Sequence, residues 1–110
     1  MAPYAVKMRK IYLVVGSKHE YYHYSRRIKE RTGQITVWTQ GAEQLPLSSP
    51  VVFVAGTGHN FKYYADICET AHMRGGTVVQ YGAPGLFVAP SLEIAHVFAE
   101  QLGIDPKWRC

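Results

Sequence analysis

Short apolar runs alternate with amphipathic stretches along the chain. The runs "KIYLVVGS" (10–17), "VVFVAG" (51–56) and "TVVQYG" (77–82) are almost continuous strand-forming sequences, and each contains or ends in a glycine. This pattern is typical of parallel strands that are covered on both faces. The segment "QITVWTQ" (34–40) alternates apolar and polar residues and predicts another strand, at an edge of the sheet.

Apolar residues repeat every three or four positions in segments 18–32, 60–74 and 91–103, which predicts three amphipathic helices. Ser17 and Glu20 fit an S-x-x-E capping box at the start of the first helix. In that motif Ser17 accepts from the Glu20 amide, and the Glu20 side chain reaches back to the amide of Ser17. The predicted core faces consist of Tyr21, Tyr24 and Ile28; Phe61, Tyr64, Cys68 and Ala71; and Ile94, Ala95, Phe98 and Leu102.

Strands that alternate with helices of this length predict a three-layer α/β sandwich of the Rossmann-like or flavodoxin-like class. We expect about four mostly parallel strands in the order 2-1-3-4, with three helices, in one domain spanning residues 1–110. Residues 1–9 form an N-terminal extension in this prediction and residues 104–110 a C-terminal tail. Segments 41–50 and 83–90 are predicted loops, the first with at most one helical turn, so strand two is either parallel or antiparallel.

Length and composition are those of an ordinary globular domain. The chain has 110 residues, of which 47% are hydrophobic and 18% charged, and this argues against disorder. Its apolar runs are far shorter than the roughly 20 residues of a membrane-spanning helix. No signal-peptide pattern is present, so a cytoplasmic location without a membrane partner is expected, with Cys68 and Cys110 as thiols.

The charge balance favours no single class of partner. Twelve Lys and Arg residues against eight Asp and Glu give a formal charge of +4. That excess is compatible with a nucleotide, a nucleic acid or phosphate, but many ordinary domains carry as much.

The predicted strand order places the binding site. Ligands of open α/β sheets bind beyond the carboxyl ends of the strands, where the strand order reverses. Here the reversal lies between the first and third strands, where the segments 16–20, 55–60 and 81–85 should converge.

The segment "GTGHN" (56–60) has the chemistry of an anion site without being a known fingerprint. Phe61 stands where G-x-G-x-x-G requires a third glycine, and the Lys of a P-loop is missing. Two glycines let backbone amides approach a ligand, and a following helix adds partial positive charge. The alternative is a tight turn that is capped by Thr57 or Asn60.

Two histidines and a lysine follow the same strands. His19 and His59 come just after strands one and three, where they could serve as acid and base or contact phosphate. Lys18 could pair with phosphate as a point charge. His19 and His23 are four residues apart, but neither HExxH nor CxxC is present, so no metal site is predicted.

Tyrosines cluster in the first turns of two predicted helices. Tyr22 and Tyr63 lie off the core faces, beside basic residues, and are candidates for base stacking or for a protein interface. Tyr24 and Tyr64 lie on the core faces and are predicted to pack.

Two partial resemblances accompany this pattern. The architecture is similar to the small IIB components of sugar phosphotransferase systems, which carry a phosphorylated cysteine at the start of a phosphate-cradling loop. The corresponding "GSKHE" has no cysteine, so that activity is not implied. The opening "KIYLVVGS" resembles that of nucleoside deoxyribosyltransferase-like proteins, whose catalytic glutamate and Asp-Ser-Gly stretch have no clear counterpart here.

The leading hypothesis is a domain that binds a phosphate-bearing small molecule, most favourably a nucleotide. One alternative is a phosphoesterase or nucleotide-processing enzyme that uses His19 and His59. Another is a non-catalytic interaction or regulatory protein with a tyrosine-rich interface, including a homodimer; nucleic-acid binding is less favoured. No cofactor can be named. The expected ligand-binding residues are Gly16, Ser17, Lys18, Tyr22, Gly56, Thr57, Gly58, Asn60, Tyr63 and Gly82.

Overall fold

The computed structural model describes residues 10–82 and 86–102. The predicted N-terminal extension, the C-terminal tail with Cys110 and residues 83–85 lie outside this part of the chain. The strands are β1 (Ile11–Val14), β2 (Thr36–Trp38), β3 (Val51–Ala55), β4 (Thr77–Gly82) and β5 (Leu86–Val88). The helices are α1 (Lys18–Thr32), α2 (Tyr64–Met73) and α3 (Leu92–Leu102).

The sheet has the order β2-β1-β3-β4-β5, and its first four strands are parallel. The predicted fold class and the order 2-1-3-4 are therefore confirmed. Leu13 pairs in register with Trp38 of β2 on one side and Phe53 of β3 on the other. Leu13 and Phe53 are completely buried, as expected for central strands that are covered on both faces.

Strand β2 is parallel to β1, which decides between the two alternatives left open by the sequence. The segment 41–50 returns the chain to the start of β3 with a single short 3-10 helix, Ala42–Gln44. The Gln44 side chain accepts a hydrogen bond from the Gly41 amide at 3.1 Å and also binds the amide of Gln40. A long crossover helix is therefore not needed here.

Strand β5 corrects the prediction that residues 83–90 are only a loop. It pairs antiparallel with β4, with Gln80 opposite Val88. The proline and glycine residues around "LFV" point to a loop, but a three-residue edge strand can lie between such residues because one side of it needs no ladder partner.

The helices cover both faces of the sheet and give the three predicted layers. On one face, Ile28 of α1 and Phe98 of α3 pack with the buried side chains of Leu13 and Phe53. On the other face, α2 contributes Ile67 and Ala71 to a second cluster of buried residues. Tyr21, Tyr24, Phe61, Tyr64, Cys68 and Ile94 pack against these clusters while remaining partly exposed.

The predicted bounds are correct for α1, and α3 begins one residue later than predicted, whereas α2 differs more. Gly33, in the left-handed conformation with φ 76°, ends α1 as predicted. Helix α2 begins at Tyr64 rather than at residue 60, because Gly58–Asn60 form a separate 3-10 helix. The chain then turns through residues 61–63 before α2 starts. No helix in the described ranges is both long and apolar enough to cross a membrane.

Candidate functional site

The candidate site lies where β1 and β3 end, which is where the strand order reverses. We call this region the carboxyl edge and define it as segments 16–20 and 55–60. Helix α1 leaves from the first segment on one face of the sheet, and α2 follows the second segment on the opposite face. Two of the three segments predicted to converge are therefore neighbours, since β1 and β3 pair directly. The third, 81–85, lies partly outside the described residues.

The carboxylate of Glu20 joins the two segments of the carboxyl edge. Its Oε1 accepts a hydrogen bond from the Gly16 amide at 2.9 Å. The Thr57 amide donates to the same carboxylate at 3.1 and 3.2 Å, and the Thr57 hydroxyl lies 3.0 Å from both carboxylate oxygens. Three donors from positions as far as 37 residues away thus fix one carboxylate.

The capping box is only half formed. The Ser17 hydroxyl accepts from the Glu20 amide at 3.2 Å, so Ser17 is the predicted N-cap of α1. The Glu20 side chain, predicted to return to the Ser17 amide, instead binds Gly16 and Thr57. The reason is that Thr57 offers two donors in one place, which a local capping contact cannot match.

The glycines of the carboxyl edge are required by close approaches. Gly56 has φ 58°, and a Cβ there would lie 2.7 Å from the Glu20 carboxyl group. A Cβ on Gly16 would collide with the Thr57 side chain, and one on Gly58 with the Val14 carbonyl. Their immediate role is therefore to let the segments come together around Glu20.

Glu20 is held in its ionised form. Partial burial acts to raise the pKa of Glu20, but the hydrogen bonds from Gly16 and Thr57 and the nearby charge of His19 outweigh it, so the pKa lies below its usual value. A negative charge is therefore present at the carboxyl edge at neutral pH.

Tyr24 lies beside Glu20 on the inner side of α1. Burial raises the pKa of Tyr24, with further contributions from Tyr81 and Glu20, while Arg27 and a backbone hydrogen bond from Gly56 act in the opposite direction. The Tyr24 ring meets Tyr81 edge to face at 6.4 Å. Its predicted packing role is confirmed by its contact with the core ring of Phe53 at 6.3 Å.

The two histidines are exposed at the rim. His19 lies in the first turn of α1, and His59 lies in the 3-10 helix Gly58–Asn60. Neither is joined to the other by a hydrogen bond or ring contact in the described structure. Of the two, His19 is the one that acts electrostatically on Glu20.

Each of the two candidate stacking tyrosines is paired with a lysine. The Lys18 ammonium lies 5.9 Å from the centre of the Tyr22 ring, and that of Lys62 lies 5.0 Å from the Tyr63 ring. Tyr22 is 56% exposed and Tyr63 46%, which confirms that both lie off the core faces. Positive charge and aromatic surface therefore occur together after both β1 and β3.

Thr57, Asn60 and Gly82 have structural contacts in the described structure. Thr57 does not cap the 3-10 helix with its side chain, since its hydroxyl binds Glu20. The exposed Asn60 donates its amide to the Thr57 carbonyl at 2.9 Å. Gly82 ends β4, where it pairs with Leu86.

Sequence reasoning missed three side chains near this edge. The bridging role of Glu20 could not be read from its capping motif, which describes only local contacts. Tyr81 adjoins Tyr24, and Gln80 accepts a hydrogen bond from the Tyr64 hydroxyl at 2.9 Å. Their position at the end of an apolar strand was the available signal, because successive residues there face opposite helical layers.

The same residues offer no metal-binding group within the described parts of the chain. Within 10–82 and 86–102, no three His, Cys, Asp or Glu side chains converge in a way that could hold a metal ion. Cys68, on α2, is a free thiol, and burial raises its pKa. The carboxyl edge thus carries one fixed carboxylate and two exposed histidines, and the two lysine–tyrosine pairs lie at or beside it in sequence.

Comparisons with known proteins leave the carboxyl edge without a described counterpart. The chain matches no protein-family model, no curated protein and no solved structure. An α/β sandwich of this kind supports many unrelated functions. The function has to be inferred from the chemistry of the residues at this edge.

Proposed function

We propose that the protein binds a phosphate-bearing small molecule at the carboxyl edge, and that the favoured ligand is a nucleotide. The observation that supports this most directly is the fixed carboxylate of Glu20 beside an exposed lysine–tyrosine pair. These groups match the three parts of a nucleotide: sugar hydroxyls, phosphate and base. The proposal includes a cytoplasmic location, where nucleotides are available and Cys68 stays a thiol.

Glu20 would recognise the sugar. An ionised carboxylate has about four acceptor positions, and three protein donors, the Gly16 amide and the amide and hydroxyl of Thr57, use most of them. The remaining acceptor capacity suits a donor such as a ribose hydroxyl. Because the protein already holds the carboxylate in place, little ordering cost is added when a ligand binds.

The phosphate would lie away from Glu20. The sequence-based hypothesis assigns phosphate to the amides of the glycine segment, but the Gly16 and Thr57 amides donate to Glu20 in the structure. A phosphate at the same donors would be repelled by the carboxylate. Lys18 and His19, both exposed in the first turn of α1, are better placed for it, and the helix N-terminus adds favourable potential.

The base would stack on an exposed tyrosine. Tyr22 is one helical turn from Lys18, and Tyr63 adjoins Lys62, so each ring offers a face next to a cation that can contact a phosphate. Stacking on an aromatic face tolerates any base, so these contacts do not select one nucleotide over another.

The proposal is tested with adenosine monophosphate, ribose 5-phosphate and inorganic phosphate in thermal-shift and calorimetric titrations. Adenosine monophosphate should raise the melting temperature more than phosphate alone, since a ligand of the native state stabilises it. Glu20→Gln should weaken binding of the nucleotide about tenfold, which corresponds to the loss of roughly 1.4 kcal/mol from a hydrogen bond to a charged group. Glu30→Gln, an exposed change on the same helix, should leave binding unchanged. His59→Ala then measures whether the second segment contributes.

The contrary result would be equally clear. If neither adenosine monophosphate nor ribose 5-phosphate stabilises the folded protein at millimolar concentration, the carboxyl edge does not bind nucleotides. If nucleotide binds but Glu20→Gln and Glu30→Gln behave alike, binding occurs without the proposed contact to Glu20.

A further inference from the structure

Two lysine–tyrosine pairs with the same construction lie on either side of the carboxyl edge. Tyr22, after β1, meets Tyr21 edge to face at 5.6 Å, and Tyr63, after β3, meets Phe61 edge to face at 5.8 Å. Tyr21 and Phe61 are partly buried against the two separate core clusters. Both exposed rings are therefore supported from below by a ring that is anchored in the core.

Each support limits how its exposed ring can move. Tyr21 is also stacked on Trp38 of β2 at 5.2 Å with an angle of 13° between the rings, and its hydroxyl lies 3.3 Å from the Thr36 hydroxyl. A ring that rests on such a neighbour loses less conformational freedom when a ligand stacks on it. Tyr22 and Tyr63 are therefore preorganised for stacking, in contrast to a side chain that is surrounded by solvent.

The two rings belong to different layers of the fold. Tyr22 belongs to the layer on one face of the sheet, and Tyr63 precedes α2 on the other face. The sheet lies between these two layers, and packed layers are about 10 Å apart, so the two rings do not share one stacking position. A single base can stack on one of them only, whereas a strand of several nucleotides can reach both.

The charges between the rings also suit a nucleic-acid strand. Lys18 lies beside Tyr22 and Lys62 beside Tyr63, where each can neutralise a phosphate. The Glu20 carboxylate joins segments 16–20 and 55–60 through three protein donors, and a carboxylate oxygen can accept a 2′-hydroxyl. A ribose strand supplies that donor and a deoxyribose strand does not.

We propose that the carboxyl edge binds single-stranded RNA, with one base on Tyr22, another on Tyr63 and the connecting strand passing Glu20. This inference rests on the proposed nucleotide function and extends it to an oligonucleotide of several residues. We call this surface the two-tyrosine path; it consists of Lys18, Glu20, Tyr22, Lys62 and Tyr63.

The test measures fluorescence anisotropy with labelled oligoadenylates of two, four and eight nucleotides, alongside calorimetry with adenosine monophosphate. Affinity should rise with length until the strand reaches both rings. Tyr22→Ala and Tyr63→Ala should each weaken binding of the octamer by about 5- to 150-fold, the usual range for one stacked base. Leu47→Ala, at another highly exposed apolar residue, is the matched control and should change nothing.

Two further comparisons separate RNA from other polyanions. Lys18→Ala and Lys62→Ala should reduce the salt dependence of octamer binding, while Lys29→Ala in the last turn of α1 does not. The ribo-octamer should bind more tightly than the deoxyribo-octamer, and Glu20→Gln should remove that preference. An eight-base-pair duplex should bind poorly, because its bases are already stacked.

The inference and the nucleotide proposal fail in different ways. If adenosine monophosphate binds and the octamer binds no more tightly, or if only one of Tyr22 and Tyr63 affects the octamer, the two-tyrosine path is refuted and the nucleotide site stands. If neither the nucleotide nor the octamer binds to folded protein, both proposals are refuted.

Discussion

Replacing Glu20 by Gln tests the central contact of the carboxyl edge without any ligand. The substitution keeps the size of the side chain and one carbonyl oxygen, but it removes the charge and one acceptor. It therefore weakens the hydrogen bonds from the Gly16 amide and from the amide and hydroxyl of Thr57, which measure 2.9–3.2 Å. Because these bonds join segments 16–20 and 55–60, their loss should reduce the stability of the folded state.

The expected magnitude follows from the number of donors and their exposure to solvent. A hydrogen bond to a charged group stabilises a protein by roughly 1.5–3 kcal/mol when it is buried. The Glu20 contacts are solvent-exposed, so solvent screening reduces the stabilisation from each contact. Each should contribute about as much as a surface ion pair, which is about 1 kcal/mol or less. Since Gln retains one acceptor, we expect Glu20→Gln to lower the free energy of unfolding by about 1 kcal/mol.

The loss should depend on pH in a defined direction. The pKa of Glu20 is lower in the folded state than its ordinary value of about 4.3, so the folded state binds protons less readily than the unfolded state. Its contribution is complete above that ordinary value and disappears as the pH falls through the lower, folded-state value. Wild type and Glu20→Gln should therefore differ at pH 7, and the difference should shrink as the pH falls below that ordinary value.

Urea unfolding followed by far-UV circular dichroism, repeated from pH 7 down to pH 3, measures this difference. Glu30→Gln is the matched control, because Glu30 is exposed on the same helix, and it should change stability by less than about 0.5 kcal/mol. Equal stability of the Glu20→Gln and Glu30→Gln proteins at pH 7 would refute the bridging role. A deficit of Glu20→Gln that persisted unchanged at pH 3 would show that the carboxylate charge is not its cause.

Two further predictions concern packing. Gly58→Ala should lower the free energy of unfolding in urea by about 3 kcal/mol, because the added Cβ would meet the Val14 carbonyl. Gly33→Ala, where φ is 76° and the space is open, should lower it by about 1 kcal/mol. Equal losses in the two variants would contradict the close approach at Gly58. In a Cys110→Ser background, Cys68 should react with a thiol reagent at pH 8 at least about tenfold more slowly in the folded protein than in urea, since burial raises its pKa. Equal rates would mean that the thiol is accessible.

The sheet could be predicted because its signals are local. Continuous apolar runs identified β1, β3 and β4, and helices of sufficient length implied parallel connections. Strand β5 was missed because the proline and glycine residues on both sides of "LFV" are typical of a loop, whereas the equally short β2 lies within a longer alternating segment. The start of α2 was placed too early because Gly58–Asn60 are helical, but in a separate 3-10 turn.

The carboxyl edge could be located from the sequence, but its contacts could not. The rule that ligands bind where strand order reverses needs only the order of the elements. The bond between Glu20 and Thr57 joins residues 37 positions apart, so it exists only once β1 and β3 are paired. Local motifs assigned Glu20 to a helix cap and Thr57 to a turn, and both assignments left out the partner that each side chain contacts.

The contact between Glu20 and Thr57 gives the glycines in "GTGHN" a structural role instead of an anion-binding one. An anion-binding loop leaves its amides open to a ligand, but here the Thr57 amide is already bound to Glu20. Gly56 makes room for that carboxylate, and Gly58 lets the segment lie against the Val14 carbonyl. The fixed group at this edge is therefore a hydrogen-bond acceptor, the Glu20 carboxylate. The positive charges, on Lys18 and Lys62, lie beside Tyr22 and Tyr63. A ligand that suits both needs hydroxyl donors that face Glu20 and phosphates that face the lysines, and a ribonucleotide strand carries both groups in every residue.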